Sequence, residues 1–304
     1  MVKKESTMSG SKKNAMTAII LAGCLAAFAS TASAQSSQSG QQNQSQPGQQ
    51  PKSNNEQKPA DSGSSLEIPS NQPPVNAEED GALKAFQAMP NSDLAKKIAA
   101  GEDFLKKYPD SRYRSVVYSA LVLEYIQTNN SDKAFEIGDK EVALKPDDVQ
   151  TMAIISQTLT RVMGANTPEP EKRLAKAEVY AKRAIEITPT LPKPEGMPDQ
   201  TFVLAKNQTL SIAHSGLGLV YLRQGKFNDA IPELEQSVKI DPNPAPDPVS
   251  LYLLGMANVK ASHFDAAAMA FNKCAAIAST LQNTCKNGAD EAKKQGSTQL
   301  SAPK

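Results

Sequence analysis

The chain has 304 residues, a formal net charge of +1, 5% aromatic residues and no tryptophan. The first 34 residues hold Lys3, Lys4, Lys12 and Lys13 against Glu5, so the remainder is close to neutral, at −2. That balance supplies no concentrated basic surface and excludes nucleic acid as an expected partner. The apolar content is dominated by Ala and Leu, which predicts an all-α core.

A basic start, the apolar run Ala15 to Phe28 and the small-residue site Ala32-Ser33-Ala34 form the three parts of a secretory signal peptide over 1–34. The run is broken by Thr17 and Gly23 and is shorter than the roughly 20 residues needed to cross a bilayer. Within it, Leu21-Ala22-Gly23-Cys24 looks like a bacterial lipobox, so lipidation at Cys24 and conventional cleavage before Gln35 both stand as readings. Either route exports the chain to the periplasm or cell envelope, or beyond it. Membrane contact is expected only through a lipid on Cys24.

Residues 35–76 are almost entirely Gln, Ser, Asn, Gly and Pro and cannot bury enough apolar surface to offset ordering entropy. They read as a disordered tether with a root-mean-square reach of roughly 35 Å. Helical periodicity starts near Glu78. Ala82 to Met89, then Leu94, Ile98, Gly101, Leu105 and Tyr108 before Pro109, predict a helix pair over 77–110 that forms an N-terminal cap or a degenerate repeat.

The most informative stretch is Ala213 to Asn243, where Leu217-Gly218, Tyr221, Ala230, Leu234 and Pro242 take positions in a 34-residue pattern of paired helices. Gly218 and Ala230 are small where two helices cross, Tyr221 and Leu234 fill the space beside them, Gly225 marks the turn, and Pro242 ends the second helix. Shifted upstream by 96 residues, the template finds Tyr118, Tyr125, Asn129-Asn130, Ala134 and Pro146. Shifted downstream by 37, it finds Leu254-Gly255, Ala267 and Phe271. A further copy is split: Met152, Ile155, Ser156 and Leu159 match the first helix, and Ala177, Ala184 and Pro189 the second, with a loop at Gly164 to Pro170 between them. A second insertion spans Leu191 to Gln200. After the last repeat, Leu281, Cys285, Ala289 and Ala292 form one apolar stripe on a polar helix that is expected to end at Gly296. Over 282–304 this reads as a C-terminal capping helix and tail, because a terminal repeat would otherwise expose its apolar face.

On these residues the chain resembles the tetratricopeptide repeat family over about residues 80–295, with the repeats proper in 111–281. The resemblance implies a right-handed α-solenoid of antiparallel helix pairs. Departures from the pattern are the two insertions, His214 in place of an aromatic, and Gly138 where a larger residue usually packs. In the family, the first helices of successive pairs line a concave groove that holds a segment of a protein partner. Carried onto this sequence, the groove-facing positions are Ser119, Leu123 and Gln127; Gln157 and Arg161; Ser215, Leu219 and Arg223; Tyr252, Met256 and Lys260. Gln127, Arg161, Arg223 and Lys260 hold equivalent places, a row of long polar or cationic side chains suited to a protein or peptide partner with acidic and apolar character. The Lys and Asn set with which chaperone-binding members clamp a C-terminal carboxylate is not reproduced. The implied function is a non-enzymatic scaffold or adaptor; the alternative is a structural component of the envelope that self-associates or docks through its convex face or inserted loops.

Nothing in the pattern gathers a catalytic, cofactor or metal set. His214 and His263, the only histidines, read as structural or exposed, and Asp132, Asp139, Glu141, Asp147 and Asp148 read as solvated charges on helix surfaces and turns. Cys274 and Cys285 lie either side of an expected turn near Ala278 to Thr280; a disulfide between them and two buried free thiols are the two readings.

Overall fold

The computed structural model describes residues 76–164 and 167–301. The signal, the lipobox at Cys24 and nearly all of the tether lie outside the described residues. Those that are described form eleven α-helices and one short 3-10 turn, with no strand among them. The helices are α1 (Ala77–Gln87), α2 (Leu94–Lys107), α3 (Arg114–Gln127), α4 (Ser131–Leu144), α5 (Val149–Val162) and α6 (Pro170–Ile187), then α7 (Asp199–Arg223), α8 (Phe227–Ile240), α9 (Pro248–Lys260), α10 (Phe264–Ala275) and α11 (Gln282–Ser301). The 3-10 turn, Thr188–Thr190, follows α6. Each helix packs mainly on its neighbours in sequence, which is the architecture of a helical solenoid.

The turn inside each pair has a repeated backbone. Asn129, Gly225 and Ser262 adopt positive φ of 58°, 75° and 62°, and they are separated by the same 96 and 37 positions as the sequence template. The next residue's amide closes the turn each time: Asn130 N–H donates to Tyr125 O at 2.8 Å, Lys226 to Tyr221 at 2.9 Å and His263 to Asn258 at 2.8 Å. This satisfies a carbonyl that the helix end leaves open. Side-chain caps start one second helix, α4, at Asn130, which accepts from Lys133 N–H, and two first helices, α5 at Asp148 and α9 at Asp247, which accept from Thr151 N–H and from Val249 and Ser250 N–H.

The core is built of small, branched and aromatic side chains in three clusters, a large one over α1–α7 and two smaller ones over α7–α11. Leu121, Met152, Ile155, Leu234 and Leu251 are fully buried. Close crossings rest on the glycines of the template. A Cβ on Gly218 would sit 2.5 Å from Leu234 Cγ, and one on Gly255 2.5 Å from a Phe271 ring carbon. Gly138, the departure noted in the sequence, is filled from the next pair: a Cβ there would lie 1.8 Å from Ile155 Cδ1, so α5 supplies the volume that α4 lacks.

Two expectations change. The polar terminal helix does not stop at Gly296 but continues to Ser301; Gly296 faces Phe264, whose Cβ would be 3.3 Å from an added methyl group. This glycine permits close packing in place of ending the helix. Second, α7 is 25 residues long because it begins at Asp199, inside the expected insertion, so its first turns extend ahead of the template helix.

Cys274 and Cys285 are joined by a disulfide with Cα atoms 5.8 Å apart, tying α10 to α11. Around it Ala267, Phe271, Ala289 and Ala292 are buried, so the stripe of α11 covers the apolar face of α10.

Candidate partner-binding groove

First helices α3, α5, α7 and α9 carry the positions expected to face a groove. The spacing between these helices is uneven. α3 and α5 touch only locally, as do α7 and α9, whereas α5 and α7 lie against each other over an extended contact. Gly216 makes that approach possible: a Cβ there would be 2.6 Å from Ser156 Oγ and 3.0 Å and 3.2 Å from the Gln157 backbone N and Cα. A side chain at this point would push the helices apart.

This contact removes three expected positions from any open surface. Gln157 is buried and Ser215 fully so, because they lie on the meeting faces of α5, α7 and α9. Ser215 shares a hydrogen bond with Ser250 on α9 at 2.9 Å. The Arg161 side chain is 6% exposed and its Nη2 pairs with Asp247 at 3.1 Å, the residue that caps α9. Ser215 and Arg161 thus join helices to one another, and Gln157 is buried beside them. Arg223 lies at the same end, its guanidinium donating to Arg161 O at 3.3 Å while the residue stays exposed.

A chain of hydroxyls continues the seam inward. Half-buried Asp247 Oδ2 accepts from Ser250 Oγ at 3.1 Å, and Ser237 Oγ donates to Ser211 O at 2.9 Å, the three serines being buried between α7, α8 and α9. Each of these polar groups has a partner, as burial requires.

What remains accessible falls on either side of the closed middle. On α3, Ser119, Leu123 and Gln127 are partly exposed, with Ser119 Oγ donating to Asp148 at 3.2 Å. On α9, Tyr252 and Met256 are partly exposed and Lys260 is exposed. The Tyr252 ring stacks at a tilt on Phe271, centroids 5.9 Å apart, and burial raises its hydroxyl pKa. Leu219 is buried and forms floor only.

Both histidines have structural settings. His214 Nδ1 meets Glu233 Oε2 at 2.6 Å across the α7–α8 pair, and exposed His263 precedes α10. Among the described residues no group of three or more His, Cys, Asp and Glu is gathered to hold a metal. One acidic residue departs from the solvated reading. Glu141 is 0% exposed, accepts from Ser115 Oγ, and its second carboxylate oxygen has no hydrogen-bond partner. Its burial could not be read from the sequence, because it depends on how α4 settles between α3 and α5.

Residues 211–244 match the family model described as Tetratricopeptide repeat, so this segment, the second half of α7 and all of α8, is a tetratricopeptide repeat. No curated protein matches the chain significantly. Among solved structures, the chain is similar to TTC0263, a thermophilic tetratricopeptide-repeat protein of Thermus thermophilus, at 18% identity and a TM-score of 0.45 over 71% of this chain and 99% of that one. It is similar to PilW, described as a widely conserved type IV pilus biogenesis factor, at 18% identity and a TM-score of 0.47 over 76% and 97%. A double mutant of MamA aligns at 14% identity and a TM-score of 0.48 over 66% and 93%.

Proposed function

We propose that this protein is a non-enzymatic adaptor of the cell envelope that binds a segment of a partner protein against the accessible parts of its concave face. The observation that carries the reading is the row of equivalent positions Gln127, Arg223 and Lys260, which present long polar or cationic ends beside partly exposed Leu123, Tyr252 and Met256. Such a surface suits an extended segment with acidic and apolar side chains. Closure of α5 on α7 divides the face, so a bound segment engages α3 or the α7–α9 end and does not run through Gln157 and Ser215.

The envelope setting rests on the signal over 1–34 and is supported by the Cys274–Cys285 disulfide, since such bonds persist in oxidising compartments. The tether over 35–76 then holds the helical body away from whatever surface anchors it. No helix among the described residues is long and apolar enough to cross a membrane. Intact mass of the exported protein separates acylation at Cys24 from cleavage before Gln35.

A structural role through other surfaces has one observation in its favour. Val203 and Leu204 are 53% and 44% exposed on the extended start of α7, and Met269 is 62% exposed on α10. Capture of proteins from envelope extracts by the full chain decides between the two. A partner that is lost when Gln127, Arg223 and Lys260 are all changed to Ala supports groove binding; one that is lost only with Val203→Asp and Leu204→Asp supports docking through the extended helix.

A further inference from the structure

Glu141 lies on α4 where α3 and the start of α5 meet it. Its side chain is fully buried, one oxygen accepting from Ser115 on α3 and the other lacking a donor. Asp148, at the N-cap of α5, acts on Glu141 by charge and by hydrogen bonding, and Lys145 in the same turn opposes it weakly. Asp148 in turn accepts from the Thr151 amide at 3.1 Å, from Thr151 Oγ1 at 2.7 Å and from Ser119 Oγ on α3 at 3.2 Å. Two carboxyl groups therefore share one junction. α3 brings the hydroxyls of Ser115 and Ser119 to it, and α5 brings Thr151.

A buried carboxylate oxygen with no donor is costly when charged, and more so beside a second carboxylate. A proton on Glu141 removes both costs. The geometry points to an acid-closing joint: the junction of α3, α4 and α5 is held together while Glu141 carries a proton and loosens once Glu141 and Asp148 are both ionised. Because Ser119 is one of the accessible positions of the concave face and is bonded to Asp148, the joint also sets how α3 stands against α5.

Burial, with Asp148 adding to it, pushes the Glu141 carboxyl up to about 7 from its ordinary 4.5. A group raised on folding stabilises the closed state below its unfolded pKa, and that stability is lost as pH rises towards the folded one. The loss therefore falls between pH 4.5 and about 7 and levels off above. Glu124, the other buried carboxylate of this region, has Lys97 at 3.1 Å, and its pKa is also raised by burial, so the test must isolate Glu141.

Amide hydrogen exchange of the full chain at pH 5, 6, 7 and 8, corrected for the intrinsic rate, reads the joint. The local opening constant of α3–α5 should rise with pH, by at most about tenfold per unit, and flatten above pH 7, while α7–α11 stay level. Glu141→Gln should remove most of the rise, leaving only the part that Glu124 contributes, and Glu124→Gln should leave the Glu141 part in place. Asp148→Asn keeps a cap for α5 and should move the rise to lower pH. A wild-type α3–α5 that is indifferent to pH, or a slope that is unchanged in Glu141→Gln but lost in Glu124→Gln, overturns the joint. If Glu141→Gln does not fold, an unmoved transition in Asp148→Asn overturns it equally.

Discussion

At the residue scale, the same helix position serves different ends in successive repeats. Gln127 and Lys260 remain available at the surface, while Arg161 is drawn into an ion pair with Asp247 and Arg223 lies over the Arg161 carbonyl. Removing Arg161 leaves half-buried Asp247 without its cation, although the cap bonds to Val249 and Ser250 persist. Arg161→Ala should therefore cost about 2 kcal/mol in urea unfolding, below the range for a fully buried pair. Lys260→Ala should change stability by less than about 0.5 kcal/mol. The row itself was legible in the sequence, because it follows from helical spacing. The burial of Gln157 and Ser215 was not, because it depends on how closely α5 approaches α7, which Gly216 permits and no local pattern announces. Gly216→Ala tests that cause: its methyl group meets the backbone of Gln157, and the variant should lose roughly 1–3 kcal/mol.

At the scale of elements, turns were the most legible feature and helix lengths the least. Gly225 and Asn129 stood out as turn residues, and their common positive φ follows from the bond that closes each helix end. The start of α7 at Asp199 was hidden because Pro192, Pro194, Gly196 and Pro198 precede it and masked the shift from loop to helix. Gly296 was misread for the opposite reason. A glycine near a chain end suggests a stop, but here it lets α11 lie close to Phe264. The α10–α11 pair depends on the disulfide as well as on its small-residue face. Reduction of Cys274–Cys285 should lower stability by about 2–4 kcal/mol. The loss should concentrate in exchange protection of α10 and α11, with α3–α5 unchanged.

Across the whole molecule, the two ends are built by different means. Buried carboxylates lie at the junctions of the N-terminal pairs, with Glu79 accepting from Ser111, Glu124 facing Lys97 and Glu141 accepting from Ser115. Hydroxyl bonds, a disulfide and the Arg161–Asp247 and His214–Glu233 contacts hold the C-terminal pairs. Between them, α5 and α7 lie against each other. On the proposed adaptor reading, a partner segment therefore engages the accessible positions on one side of that contact, on α3 or at the α7–α9 end.

The most direct measurement of that claim is site-specific photo-crosslinking in intact cells, with the reactive side chain placed at Gln127, Met256 or Lys260 on the concave face and at Val179 or Met269 elsewhere. The account predicts that a discrete protein adduct forms from the concave positions and is absent from the other two. Adducts from Val179 or Met269 alone, with none from Gln127, Met256 and Lys260, would contradict it.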